Sequence, residues 1–137
     1  EFLNEWDHTV QESDVISIHM PSTPETNDSI NSETLKLMKP DAVLVNVGRG
    51  EVINEADLIN ALKSKVIAGA ALDVRAQEPP VKAELETITN LILTPHVAGI
   101  TSQSQLRINE ILASNILKVL SNQVATHAVG LIKESAK

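Results

Sequence analysis

The sequence predicts an α/β fold, a parallel sheet with flanking helices, on three observations. Four short apolar runs, "VISIHMP" (15–21), "AVLVNVG" (42–48), "VIAGAALDV" (66–74) and "LILTPH" (91–96), each end in polar or chain-breaking residues. They are continuous rather than alternating, which suits strands buried on both faces of a sheet. Helical patterns lie between them, so the order strand, helix, strand, helix, strand reads as βαβ units with right-handed crossovers.

The elements follow in order. After the first strand, Ser32 is positioned to N-cap "ETLKLM", whose last turn carries Lys36 and Lys39 before Pro40 stops it. After the second, Asn54 is positioned to N-cap "EADLINALKS", with Asp57 in the capping-box position and Leu58, Ile59 and Leu62 on one face. The connection from Arg75 to Asn90 is long and carries Glu78-Pro79-Pro80, a length typical of functional or mobile loops. The longest helix runs from Thr101 to about Asn122, where Ile108, Ile111, Leu112, Ile116, Val119 and Leu120 recur at helical spacing.

Composition narrows the function. The chain has 137 residues, 42% hydrophobic and 21% charged, the values of an ordinary globular domain. Trp6 and Phe2 are its only aromatics, so the core is aliphatic and base-stacking platforms for nucleic acid are lacking. A formal net charge of −7 disfavours a polyanionic partner. With no cysteine there is neither a disulfide framework nor a thiolate metal site, and no His or acidic spacing suggests a metal. No apolar stretch approaches the roughly 20 residues that span a bilayer. A cytoplasmic location and no membrane partner are the expectation. The chain opens on Glu1-Phe2 without Met, so a fragment or cloning-derived first residues are expected.

In an open parallel sheet, ligands bind outside the carboxyl ends of the strands. The residues leaving the four strands are His19-Met20-Pro21, Asn46-Val47-Gly48-Arg49-Gly50, Asp73 and Pro95-His96. Arg49 reads either as a solvated loop arginine or as a planar fork for a carboxylate, with flanking glycines that leave room for a ligand and permit unusual backbone angles. His96 is either structural or an acid/base, and Glu78 either solvated or a carboxylate that orients that imidazole and raises its pKa. Asp73 is either a plain strand residue or an acceptor for an amide of a ligand. His8, His19 and His127 read as surface or packed residues.

The ordered set "ESDVISIHMPSTPET", "LVNVGRGEVINEADLINALKSKVIAGAALDV", "EPP" and "LTPHVAGITSQSQ" closely resembles the D-isomer-specific 2-hydroxyacid dehydrogenases, from about Glu12 to Gln123. The resemblance implies a partial Rossmann-type, doubly wound sheet. Residues 1–123 would form the C-terminal half of a dinucleotide-binding domain, with residues 1–11 a candidate tail and 124–137 a C-terminal tail. It implies that Arg49 binds the substrate carboxylate and polarises the 2-oxo group, His96 is the acid/base and Glu78 its hydrogen-bonded partner. Met20, Pro21, Thr26, Val47, Gly48, Arg49, Asp73, His96, Val97, Ala98 and Gly99 would contact NAD, with NADP an alternative. The implied reaction passes a hydride between the nicotinamide and C2 of a small 2-hydroxy acid or 2-oxo acid, 3-phosphoglycerate being one candidate, and a homodimer is expected. A catalytically quiet, NAD-sensing scaffold resembling the family's corepressors is the alternative.

Two positions depart from the family pattern: Lys65, where Gly is usual after a helix, and Arg75, where an aromatic is common. The glycine-rich G-x-G-x-x-G turn and its following acidic residue are not in this sequence. The chain alone is therefore expected to bind cofactor weakly and to turn over nothing, and its first strand to have an unpaired edge.

Overall fold

The computed structural model describes residues 6–80 and 84–128, in two compact units that divide between Ala98 and Gly99. In the first unit, strands β1 (Val15–Ile18), β2 (Val43–Asn46), β3 (Gly69–Leu72) and β4 (Leu91–Leu93) form one parallel sheet in the order β1-β2-β3-β4. The parallel α/β class predicted from the apolar runs, and the Rossmann-type sheet implied by the resemblance, are the observed ones. β1 and β4 are both edge strands. Each strand is shorter than the apolar run that announced it. The fourth stops at Leu93 because Pro95 cannot donate to a ladder and His96 turns into left-handed backbone, φ +56°.

Helices α1 (Trp6–Glu12), α2 (Ser32–Leu37) and α3 (Glu55–Lys63) pack side by side, α1 on α2 and α2 on α3. They cover one face of the sheet. Val10, Leu35, Leu58 and Leu62 meet Ile18, Leu44, Ala70 and Leu72, strand residues that share a face by register. The reason is topological. Strand order advances in one direction, so every right-handed crossover returns on the same side. The strands were expected to be buried on both faces. Instead the second face keeps Val15 and Ile92 exposed, at 61% and 67%, with Val43, Val45 and Ala71 half-buried. Those residues make the runs read as continuous.

Helix ends show how the local chemistry chose among candidates. The N-cap of α2 is Asn31, not Ser32: Asn31 Oδ1 accepts from the N–H groups of Glu33 and Thr34 at 3.0 and 3.2 Å. Ser32 enters the helix, and its N–H donates to Asp57 Oδ2 at 2.8 Å. Asn54 caps α3 as expected, accepting from Asp57 N–H at 3.1 Å, but the Asp57 carboxylate serves α2 instead of closing a capping box. α3 ends in a Schellman motif, with Val66 N–H on Ala61 O and Lys65 N–H on Leu62 O, and Lys65 sits at φ +55° where Gly is favoured. Seven-residue α1, which begins in the stretch 1–11 read as a candidate tail and ends one residue past it, buries Val10 to 1% exposure.

The second unit contains α4 (Ser102–Leu120), capped by Thr101 in a reciprocal box with Ser104 and closed by a Schellman motif with Asn122 at φ +56°. Thr126 folds back onto Asn115, donating its N–H to Asn115 Oδ1 at 2.9 Å. The expected helix is there. Its apolar residues Ile108, Ile111, Leu112, Ile116, Val119 and Leu120 are all exposed, and no residue of the helix is buried. Residues 129–137 of the expected C-terminal tail, and 1–5 of the N-terminal one, lie outside the described residues.

Candidate active site

Parallel, in-register strands put the four exits on one edge of the sheet. The β2 exit is shaped by Asn46, fully buried: its Nδ2 donates to Arg49 O and its Oδ1 accepts from Gly48 N–H, both at 2.9 Å. The side chain therefore closes the Asn46–Arg49 turn. Neither flanking glycine takes a positive φ; steric room explains both. A Cβ on Gly48 would lie 2.8 Å from Met20 O, and one on Gly50 1.9 Å from the carbonyl carbon of Arg75. Their absent side chains make room for neighbouring backbone, which corrects the reading that they make room for a ligand. The guanidinium of Arg49 is exposed, bonded only to Gly48 O at 2.9 Å, and pairs with no carboxylate among the described residues.

At the β4 exit, His96 Nδ1 meets Glu78 Oε2 at 2.7 Å. An ionised carboxylate only accepts, so Nδ1 carries the proton and Nε2 is left to exchange one. Nε2 has no hydrogen-bond partner among the described residues. Glu78 is fixed at its other oxygen by Arg75 N–H, 2.8 Å from Oε1, and its peptide bond to Pro79 is cis. The hydrogen bond from His96, then that from Arg75 N–H, hold the Glu78 carboxyl below the ordinary Glu range; slight burial acts the other way.

Asp73 holds the histidine loop. Its carboxylate accepts from the Thr94 hydroxyl, from Val97 N–H at 2.9 Å and from Ala98 N–H at 2.8 Å, while Asp73 O takes His96 N–H at 2.8 Å. Burial pushes this carboxyl up, but the bonds from Thr94, Ala98 and Val97 outweigh it and hold it below the ordinary Asp value. Of the sequence's two readings for Asp73, the internal one is visible: the acceptor capacity goes mainly to its own chain.

Four of the residues assigned to the cofactor, Val47, Asp73, Val97 and Ala98, come together with Val45 and Ile92 around a cleft of about 270 Å³ at the carboxyl ends of β2 to β4. Met20, Pro21 and Thr26 lie apart from that cleft, on the loop after β1. There Thr26 Oγ1 donates to Pro21 O at 2.6 Å and accepts Thr23 N–H at 2.9 Å. Met20 packs against the core. Gly99 opens the second unit, where its carbonyl accepts Ser104 Oγ at 2.7 Å. Two elements escaped the sequence reading: the Asn46 clasp, and an ion pair of Arg75 with Glu55, twenty residues apart and without a local signal.

A parallel sheet with an apolar cleft, an unpaired guanidinium and a carboxylate-held imidazole along its carboxyl edge is an α/β domain of the dinucleotide-binding class. Residues 2–98 match the family described as D-isomer specific 2-hydroxyacid dehydrogenase, NAD binding domain, and the chain belongs to that family. It is 42% identical over 129 residues to a D-3-phosphoglycerate dehydrogenase of Synechocystis, a match covering 94% of this chain and 23% of that protein. D-lactate dehydrogenase with NAD+ from Lactobacillus jensenii superposes with a TM-score of 0.83 at 31% identity, over 93% of this chain and 42% of that one. NADPH-dependent glyoxylate/hydroxypyruvate reductase from Sinorhizobium meliloti, in complex with NADP and malonate, superposes with a TM-score of 0.81 at 32% identity. That match covers 90% of this chain and 39% of the reductase. The chain thus spans less than half the length of each of these relatives.

The residues present suit the nicotinamide end of such a cofactor. Val47 and Val97 are 37% and 39% exposed beside Ile92, an apolar floor for a flat ring next to the imidazole loop.

Proposed function

We propose that this chain carries the acid/base and carboxylate-binding part of an NAD(P)-dependent oxidoreductase for a D-2-hydroxy acid and its 2-oxo counterpart. The observation that carries the reading is the 2.7 Å contact of His96 Nδ1 with Glu78, which leaves Nε2 unpaired on the carboxyl edge of the sheet. Arg49 offers a planar guanidinium that no acid among the described residues neutralises, suited to a bidentate grip on the substrate carboxylate. Its charge also lies where the C2 oxygen becomes negative. His96 holds at Nε2 the proton that this oxygen gains on reduction or loses on oxidation, and Glu78 stabilises the imidazolium form. The bound nicotinamide supplies or accepts the hydride at C2. Val47, Val97 and Ala98, which line the cleft, would hold that ring away from water.

The unpaired imidazole nitrogen and guanidinium favour an enzyme over an NAD-sensing scaffold, because a scaffold needs neither. The proposal includes a cytoplasmic homodimer, with 3-phosphoglycerate, hydroxypyruvate, glyoxylate and pyruvate as the substrates to assay first. The test is NAD(P)H absorbance with the whole protein containing this chain. Arg49→Ala and His96→Ala should each lower kcat/KM by on the order of 10²–10³, against no turnover by the 137-residue chain alone. Turnover near that of the parent in either variant overturns the assignment.

A further inference from the structure

Arg75 lies three residues past β3, after the buried Asp73 and Val74, and its guanidinium turns onto α3. It forks onto Glu55 in the first turn of α3, Nε on Oε1 at 2.9 Å and Nη2 on Oε2 at 3.0 Å. The two side chains are only 10% and 26% exposed, so the pair is shielded far more than an ordinary surface ion pair. Glu55 Oε1 also accepts Ala76 N–H at 3.0 Å, so one carboxylate grips both the side chain and the backbone of this turn. The turn in turn grips the proton-handling pair. Arg75 N–H donates to Glu78 Oε1, and that bond leaves Oε2 to meet His96.

We propose that Glu55 and Arg75 are positioning residues for the Glu78–His96 couple, a helix-anchored clamp that holds the Glu78 carboxylate in the orientation where one oxygen takes the Arg75 N–H and the other faces the imidazole. The proposal rests on the acid/base reading above for its catalytic meaning. Both act on the couple through the backbone of the turn, Glu55 by its bond from Ala76 N–H and Arg75 by its N–H to Glu78. A merely structural ion pair would hold the loop's fold yet leave the protonation of Glu78 unmoved. Among the described residues, the charged groups around His96 are Glu78 and Asp73 beside it, with Arg75 and Glu86 lining the same cavity of about 460 Å³.

The experiment is a carboxyl-carbon NMR titration of Glu78 in this chain, with no cofactor or substrate present, so it is independent of whether His96 transfers a proton in turnover. In the parent, Glu78 titrates below the ordinary Glu range. Glu55→Gln removes a nearby negative charge, which through space alone shifts that midpoint further down; loss of positioning shifts it up. The expected result is an upward shift. Arg75→Lys keeps the charge and loses the fork, and the same upward shift is expected there, in protein whose circular dichroism remains that of the parent. If Glu55→Gln does not fold, Arg75→Lys decides alone. An unchanged or lowered Glu78 midpoint in the folded variants overturns the proposal. Activity loss in the Arg49 and His96 variants tests the underlying reading separately.

Discussion

Gly50→Ala is the sharpest test of how the rim is built. Its Cβ would stand 1.9 Å from the carbonyl carbon of Arg75, 2.1 Å from its oxygen and 2.3 Å from Ala76 N, all backbone atoms. Ordinary contact begins at 3.4 Å, so the two backbones must part by 3.4 − 1.9 = 1.5 Å. Neither side yields easily. On one side Val74 is buried, and the turn is tied by Arg75 and Ala76 to Glu55 and by Arg75 N–H to Glu78. On the other, Val52 and Ile53 are core residues and Ile53 N–H bonds Gly50 O at 3.0 Å. Over-packing costs about 1–3 kcal/mol. Two or three broken hydrogen bonds add about 1 kcal/mol each. The expected loss is therefore about 3–6 kcal/mol, much of the stability of a typical domain. Gly48→Ala is the internal control, since its deficit against Met20 O is 3.4 − 2.8 = 0.6 Å and its expected cost about 1–2 kcal/mol. Urea unfolding followed by far-ultraviolet circular dichroism measures both. A Gly50→Ala midpoint equal to that of the parent, or a Gly48→Ala protein less stable than Gly50→Ala, refutes the reasoning.

Two further outcomes follow from the helix end and from the carboxylates. Lys65→Gly should stabilise the chain. It relieves about 1–2 kcal/mol of left-handed backbone at φ +55° against about 0.4–1 kcal/mol of extra unfolded-state freedom. Calorimetry should show Tm rising by a few degrees, and an unchanged or lower Tm would count against that backbone. Asp73, Glu78 and Glu55 all have folded pKa values below their ordinary ones. Their stabilisation is thus complete above the unfolded values, about 4, and is lost as pH falls through the lower folded values. Asp73→Asn, which leaves one oxygen for three donors, should lower stability at pH 7 and flatten its dependence below about pH 4, as read by unfolding at a series of pH values.

The sheet was legible because four continuous apolar runs have few other uses in a chain this short, and the strand exits then marked the rim without coordinates. What sequence could not show was which atom reaches which. Asn31 and Ser32 are both good caps, and Asp57, twenty-five residues from Ser32, settles the choice by taking the Ser32 N–H. α1 carries one buried residue in seven, too weak a period to read. The flanking glycines of Arg49 were legible as important but not for the right reason, because the backbones they admit belong to other strand exits. The continuity of the runs suits burial of both sheet faces, but one-directional strand order sends every crossover to the same side and leaves the face of Val43 and Val45 half-buried.

Those contacts explain why an arginine stands between two glycines at this place. Gly48 lies under the β1 exit, Gly50 abuts the β3 exit, and Asn46 closes the turn between them, so the Arg49 backbone is held from three directions. Among the described residues its side chain has only its neighbour's carbonyl. A rooted guanidinium with a free tip loses side-chain freedom on meeting a carboxylate, but the loop itself has already been ordered by folding. The same division recurs at His96. Asp73 fixes the loop, Glu78 fixes one ring nitrogen, and the other is left to chemistry. Because Gly50 abuts Arg75, and Arg75 holds Glu78, the loop that presents the charge and the loop that carries the imidazole's carboxylate partner share one backbone contact. A change that displaces either should disturb both.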